Sequence, residues 1–172
     1  MNFPSLTAFV EHAATLEARM YSAVSLGVRD AAKVVHKRTR AKFGHYQEGD
    51  GPFSSWPELQ DATKKERVRQ GYSEDEPLLR SGDLMRSYTV EHEGLVAGVG
   101  SPLEEALGQE IGIPGHNVPA RSTLGLAFVE SERKGFGILN EHIGSVLVYG
   151  RDVAQLSDDL SELEPVDEEL SQ

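Results

Sequence analysis

From Ser5 or Thr7, either a fair helix N-cap, the chain runs to about Phe43 without an internal proline. Apolar side chains recur at Leu6, Phe9, Val10, Ala13, Leu16, Met20, Ala23, Val24, Ala31, Val34 and Val35. Gaps of three and four residues mark one face of a helix. Gly27 is the interior weak point, costing about 1 kcal/mol against alanine, and is predicted to bend the helix or divide it. Roughly 38 residues at about 1.5 Å each would reach about 55 Å, more than the body of a domain this size. Part of the helix is therefore expected to pack on something outside its own fold, and the simplest candidate is another copy of the chain.

Beyond it the pattern breaks into shorter pieces. Residues 44–60 hold Gly44, Gly49, Gly51, Pro52 and Pro57 and read as a long loop, with Phe53 and Trp56 as its anchors. A short helix is predicted from Asp61 to Gln70, ending at Gly71. The run from Met85 to His92 reads as a strand, Glu93-Gly94 as a turn and Leu95–Gly100 as a second strand, together a hairpin. Ser101-Pro102 opens a helix from Leu103 to Glu110, and residues 112–119 form a loop rich in breakers. Leu124, Leu126 and Phe128 alternate with small residues, which predicts a strand over Ser122–Val129. A helix follows from Glu130 to about Tyr149, weakened by Gly135, Gly137 and Gly144. Leu156, Leu160 and Leu163 would share one face of a further helix ending near Glu164. The expected fold class is α+β: a long N-terminal helix on a small, mostly antiparallel sheet with further short helices. Residues 1–150 form its single domain and residues 151–172 an acidic extension.

Charge sharpens that division. The chain has 172 residues, 28 acids, 17 bases and a formal net charge of -11. Residues 152–172 hold Asp152, Asp158, Asp159, Glu162, Glu164, Asp167, Glu168 and Glu169 and no base. Without them, 20 acids face 17 bases, so the body is nearly balanced. The absence of cysteine rules out disulfides, thiolate metal sites and a cysteine nucleophile. No run approaches the roughly 18 apolar residues of a spanning helix, and the N-terminus lacks the pattern of a signal peptide. The expectation is a soluble protein that does not engage a membrane.

Candidate chemistry is sparse. His12, His36, His45, His92, His116 and His142 include no pair at metal-ligand spacing. A metal between Glu110 and His116 is conceivable, but a solvated loop histidine is the more ordinary reading. Gly98-Val99-Gly100-Ser101 only faintly suggests a phosphate-binding turn, and no nucleophile elbow is present. No catalytic residue, cofactor or metal is expected, and the chain does not read as an enzyme. One cluster is charged enough to matter: Arg29, Lys33, Lys37, Arg38, Arg40 and Lys42 follow one another along the long helix, with Asp30 the acid among them. These bases either complement the helix C-terminus or present a docking face for a subunit neighbour or nucleic acid.

One ordered set of motifs goes further. Trp56-Pro57-Glu58-Leu59 precedes a helix bearing Thr63, Lys64, Lys65 and Arg67. Leu79-Arg80-Ser81-Gly82-Asp83-Leu84-Met85-Arg86-Ser87 follows, then Val96-Ala97-Gly98-Val99-Gly100, and last Val118-Pro119-Ala120-Arg121-Ser122-Thr123-Leu124-Gly125. In this order and spacing, over roughly residues 5–150, the chain resembles the tail-completion and virion-morphogenesis proteins of tailed bacteriophages. It departs from the family's usual pattern at Leu103-Glu104-Glu105-Ala106 and at Ser122-Thr123.

The resemblance implies a structural virion protein: a ring of six copies at the neck or head-proximal tail end, completing the tail so that the filled head can join it. Its partners would be copies of itself, connector and tail-tube proteins, with packaged DNA close by and no membrane. Assembly would take place in the host cytoplasm. In such a ring the subunit-interface candidates are Arg29, Lys33, Lys37, Arg38, Trp56, Arg80, Arg86 and Arg121. Leu79, Gly82, Leu84, Pro119 and Leu124 read as fold-motif residues: Gly82 for a turn with positive φ, Leu79 and Leu84 pinning its sides to the core, Pro119 fixing an extended lead into the last strand. Arg80, Arg86 and Arg121 can equally serve the chain's own fold. The competing reading is a nucleic-acid-binding module that uses residues 29–42 and is masked by the acidic tail.

The tail is expected to contact a basic neighbour or to stay mobile. Deleting residues 152–172 should then leave the cooperative thermal melt of the body in place, followed by circular dichroism. A truncated chain that no longer melts cooperatively would assign the tail to the core.

Overall fold

The computed structural model describes residues 4–149, so the leucine-bearing helix expected near Leu156–Glu164 lies outside the described residues. The order of elements is α1 (Leu6–Ala41), α2 (Asp61–Arg69), α3 (Asp83–Ser87), β1 (Thr89–Glu93), β2 (Val96–Gly100), α4 (Glu104–Ile111) and α5 (Leu124–Tyr149). It is an α+β arrangement in which the long helix packs on a two-stranded antiparallel sheet and on α5.

Ser5 caps α1 by accepting the Ala8 amide at 3.1 Å, which satisfies one of the N–H groups a helix start leaves without a partner. Gly27 does not divide the helix, and the space of its missing side chain is filled from across the interface. A Cβ there would lie 2.9 Å from Leu139 Cδ1 and 3.2 Å from Leu139 Cα. Ala23 packs with Val146, Gly27 faces Leu139 and His142, Gly135 faces Ala31, and Lys42 reaches Glu130. Each step forward on α1 is a step back on α5, so the two helices are antiparallel along a seam of small residues. Leu16, Met20 and Leu26 extend the packing on the α1 side.

A second core sits beyond the C-terminal end of α1. Phe43, Tyr88 and Ala106 are buried there, with Leu78, Leu79, Leu84, Met85 and Leu124 against them. The rings of Phe43 and Tyr88 meet edge to face with centroids 5.9 Å apart, a favoured aromatic geometry. The hairpin pairs Val90 with Val99 and turns at Gly94-Leu95. It lies on α1, where His36 Nε2 bonds the Tyr88 carbonyl at 2.9 Å and Ser25 bonds His92 at 3.2 Å.

Two sequence expectations are corrected. The strand expected from Met85 begins only at Thr89, because Gly82, with φ of 82°, starts a turn of helix that continues to Ser87. The strand expected over Ser122–Val129 is instead helical from Leu124 onward, as the start of α5. Leu126 and Ala127 are consecutive and both buried while Phe128 is exposed, a pattern that a strand's alternation cannot produce. Pro119 therefore leads into a helix.

The seam makes one position critical. Gly27→Val gains helix propensity but drives two methyl groups into Leu139, and it should cost about 1–3 kcal/mol in urea denaturation. An unchanged midpoint would contradict close approach at this point.

Candidate functional site

Glu110 is the centre of the region that carries the motif residues. It stands in the last turn of α4, where its own helix dipole is unfavourable to a carboxylate. Its compensation comes from α5, whose first turn contains no acid. Glu110 Oε1 accepts the Thr123 amide at 2.8 Å, the Leu124 amide at 2.7 Å and the Thr123 hydroxyl at 2.7 Å. Oε2 accepts the Ser122 hydroxyl and the Gly125 amide. One carboxylate thus satisfies the N–H groups that the start of α5 leaves open, where negative charge is favoured. Tyr88 shares a 3.0 Å hydrogen bond with Thr123. Burial raises the Tyr88 phenol pKa above its ordinary value, against the lowering effect of Thr123, so it remains a neutral donor.

The segment before α5 is fastened on both sides. Arg121 N–H donates to the Gln109 carbonyl and Ile113 N–H to that of Val118, which closes residues 112–119 into a compact loop. A side chain on Gly112 would meet the Ala120 nitrogen at 2.9 Å. Gly125 is needed for the same reason, since the Phe53 ring occupies the space of a Cβ. The Arg121 side chain is turned inward, 7% exposed, and its Nη2 donates to the Pro57 carbonyl at 2.8 Å and more weakly to Glu58. Burial lowers the Arg121 pKa. Arg67 is buried in the same way and donates to the carbonyls of Ser73 and Leu79 at 2.7 and 2.6 Å. Two arginines thus hold the loops on either side of a groove of about 1030 Å³. Pro57, Leu59, Leu84, Leu103, Ile113 and Pro119 are among its walls.

The structure separates the interface candidates. Trp56, 5% exposed, anchors its loop, and Arg121 binds its own chain. Arg80 and Arg86 are exposed near the groove. Arg80 pairs with Glu66 at 2.9 Å and lies over the Tyr72 ring; Arg86 pairs with Asp83 at 2.7 Å and donates to the Ser81 carbonyl. Leu79, Leu84 and Leu124 lie in the second core, Gly82 starts α3, and Pro119 leads to α5.

The basic run is largely engaged within the chain. Arg29 and Lys33 both bind Asp30 at 2.9 Å. Arg38 donates to the Glu130 carbonyl. Lys42, 5% exposed, binds Glu130 at 2.8 Å and Gln47 at 3.2 Å. Lys37 and Arg40 lie on the exposed side. Fully buried His142 comes within 3.3 Å of Asp30 Oδ2, but off the angle of a hydrogen bond. Glu110, Arg67 and Lys42 escape pattern reading. The available clue to Glu110 is an acid at the wrong end of its helix with hydroxyl residues opening the next. Its oxygens are occupied by α5, and among the described residues no group of three metal-ligating side chains occurs.

Glu110→Ala should cost about 1.5–3 kcal/mol in urea denaturation, the range for hydrogen bonds to a charged group, with Thr123→Ala costing less. Equal stability would dismiss the carboxylate as the anchor of α5. Asp30 provides a pH test. Burial raises its pKa, but the hydrogen bonds and charges of Arg29 and Lys33 outweigh this and leave it lowered. Its stabilising contribution is therefore present above an unfolded pKa of about 3.9 and is lost as pH falls through the lower folded value. The stability gap between the natural chain and Asp30→Asn should be wide at neutral pH and close below about pH 4; a gap independent of pH would contradict it. No family model, curated protein or solved structure matches this chain.

Proposed function

We propose that this chain is a structural protein of the phage head–tail junction, whose copies form a ring, of six by the resemblance, that completes the tail for joining to the head. The ordered motifs support this reading. So does their arrangement: the Leu79–Gly82–Leu84 and Pro119–Arg121–Leu124 elements build one body around Tyr88 and Glu110 and spend their polar groups on holding backbone.

The observation that carries the proposal is apolar surface left on different elements of a small body. Leu107 and Ile111 of α4 are 63% and 68% exposed, with Ile113 beside them, and Phe128 and Phe136 of α5 are 63% and 60% exposed. A closed ring needs heterologous contacts, one patch of each copy meeting a different patch of the next, and exposed apolar clusters are the usual material of such contacts. Arg80 and Arg86 stand near the groove, placed to add polar contacts at its rim. The nucleic-acid reading loses support from Arg29, Lys33, Arg38 and Lys42, which are engaged with acids or carbonyls of the chain itself.

The test is imaging of particles made without this gene. Separate filled heads and free tails are expected, joined again when the natural chain is supplied but not when Ile111→Asp is supplied, although that variant should show an unchanged circular dichroism spectrum. Normal infectious particles in the absence of the gene would overturn the proposal.

A further inference from the structure

Arg67 and Arg121 are 4% and 7% exposed, and both line the same groove. Arg67 uses Nε and Nη2 on the Ser73 and Leu79 carbonyls, and Arg121 uses Nη2 on those of Pro57 and Glu58. A carbonyl satisfies an N–H group but does not neutralise a cation, and a buried charge is costly unless an opposite charge faces it. Among the described residues no carboxylate forms an ion pair with either arginine. Nor does the Nη1 group of either find a hydrogen-bond partner among them, and Arg121 Nε is buried with none.

The acids around the groove do not close this gap. Glu58 is turned to Lys64 at 3.8 Å and Asp83 to Arg86 at 2.7 Å, both carboxylates well exposed. Asp75 feels the charge of Arg67 but is bound by Tyr46 and Lys64. Glu105 stands on the exposed side. The groove therefore joins buried positive charge to apolar walls, beneath a rim that carries acids.

That combination selects an occupant. A nucleic-acid backbone, charged at every phosphate, would meet Glu58, Asp83 and Glu105 before it reached the guanidinium groups. A single carboxylate between aliphatic side chains brings one charge to the arginines and apolar surface to walls such as Leu59, Leu84 and Ile113. We propose that the groove binds an acidic segment of a partner protein, in which an aspartate or glutamate flanked by aliphatic residues supplies the counter-charge of Arg67 and Arg121. Leu103 and Ile113, 38% and 41% exposed, are the wall residues such a segment would cover. The inference holds whether or not the copies form a ring.

The probe is the capped tripeptide N-acetyl-Leu-Glu-Leu-amide, titrated into the full chain and followed by NMR at the arginine Nε–H and the Leu103 and Ile113 methyl resonances. Saturable binding with a Kd on the order of 1 mM is expected. The glutamine form of the peptide should bind about tenfold more weakly, having lost a charge-assisted hydrogen bond. Arg67 and Arg121 hold loops, so the test substitution is placed on the wall instead. Leu103 is the N-cap of α4, where aspartate is a favoured residue. Leu103→Asp should therefore keep the circular dichroism spectrum while removing peptide binding. Equal affinity for the glutamate and glutamine peptides, or binding by neither, would overturn the proposal. So would undiminished binding by Leu103→Asp. Inorganic phosphate that binds more tightly than the peptide would make the groove a simple anion site and equally overturn it.

Discussion

Two helices approach only as closely as their smallest facing residues allow, and Ala23, Gly27 and Ala31 set that distance for α1 and α5. Everything else in the fold is referred to this contact. It places Glu130 over Lys42 and Arg38, and so fixes where α5 begins relative to the end of α1. The start of α5 then determines where Glu110, and with it α4, must lie. The hairpin, too small to be stable alone, is held because the other side of α1 offers His36 and Ser25.

The polar residues at the end of the seam hold backbone in place. Glu110 takes the amides at the start of α5, Arg121 takes carbonyls of the Trp56-bearing loop, and Arg67 takes those of the turn before α3. Each is a charged group bonded to main chain of a different segment, and each ties that segment to its own. Such a body suits a part that must present a fixed outer shape to neighbours. Exposed apolar side chains on α4 and on α5 are among those available for contact.

How much of this is legible in sequence depends on range. The long helix announces itself because its spacing repeats many times and Ser5 supplies a cap, and the hairpin because Glu93-Gly94 interrupts two apolar runs. Gly27 reads locally as a weakness, since the residues that fill its space stand more than a hundred positions away. Leu124, Leu126 and Phe128 mimic a strand because Gly125 and Ala127 are small, and small residues are equally what close packing against Phe53 and the core requires. The candidate site is legible as a set of motifs but not in its chemistry. Arg121 fits a neighbour or its own fold equally well until the loop carbonyls that bind it are seen, and Glu110 gains its role only when α5 is brought to it.

The claim that the α1–α5 seam organises the molecule is tested most directly by native-state hydrogen exchange. The account predicts that amides from Ala23 to Thr39 of α1 and from Leu126 to Val146 of α5 exchange slowest and share one denaturant dependence, as a single opening unit. Exchange of α5 through a smaller, separate opening while α1 stays protected would contradict it.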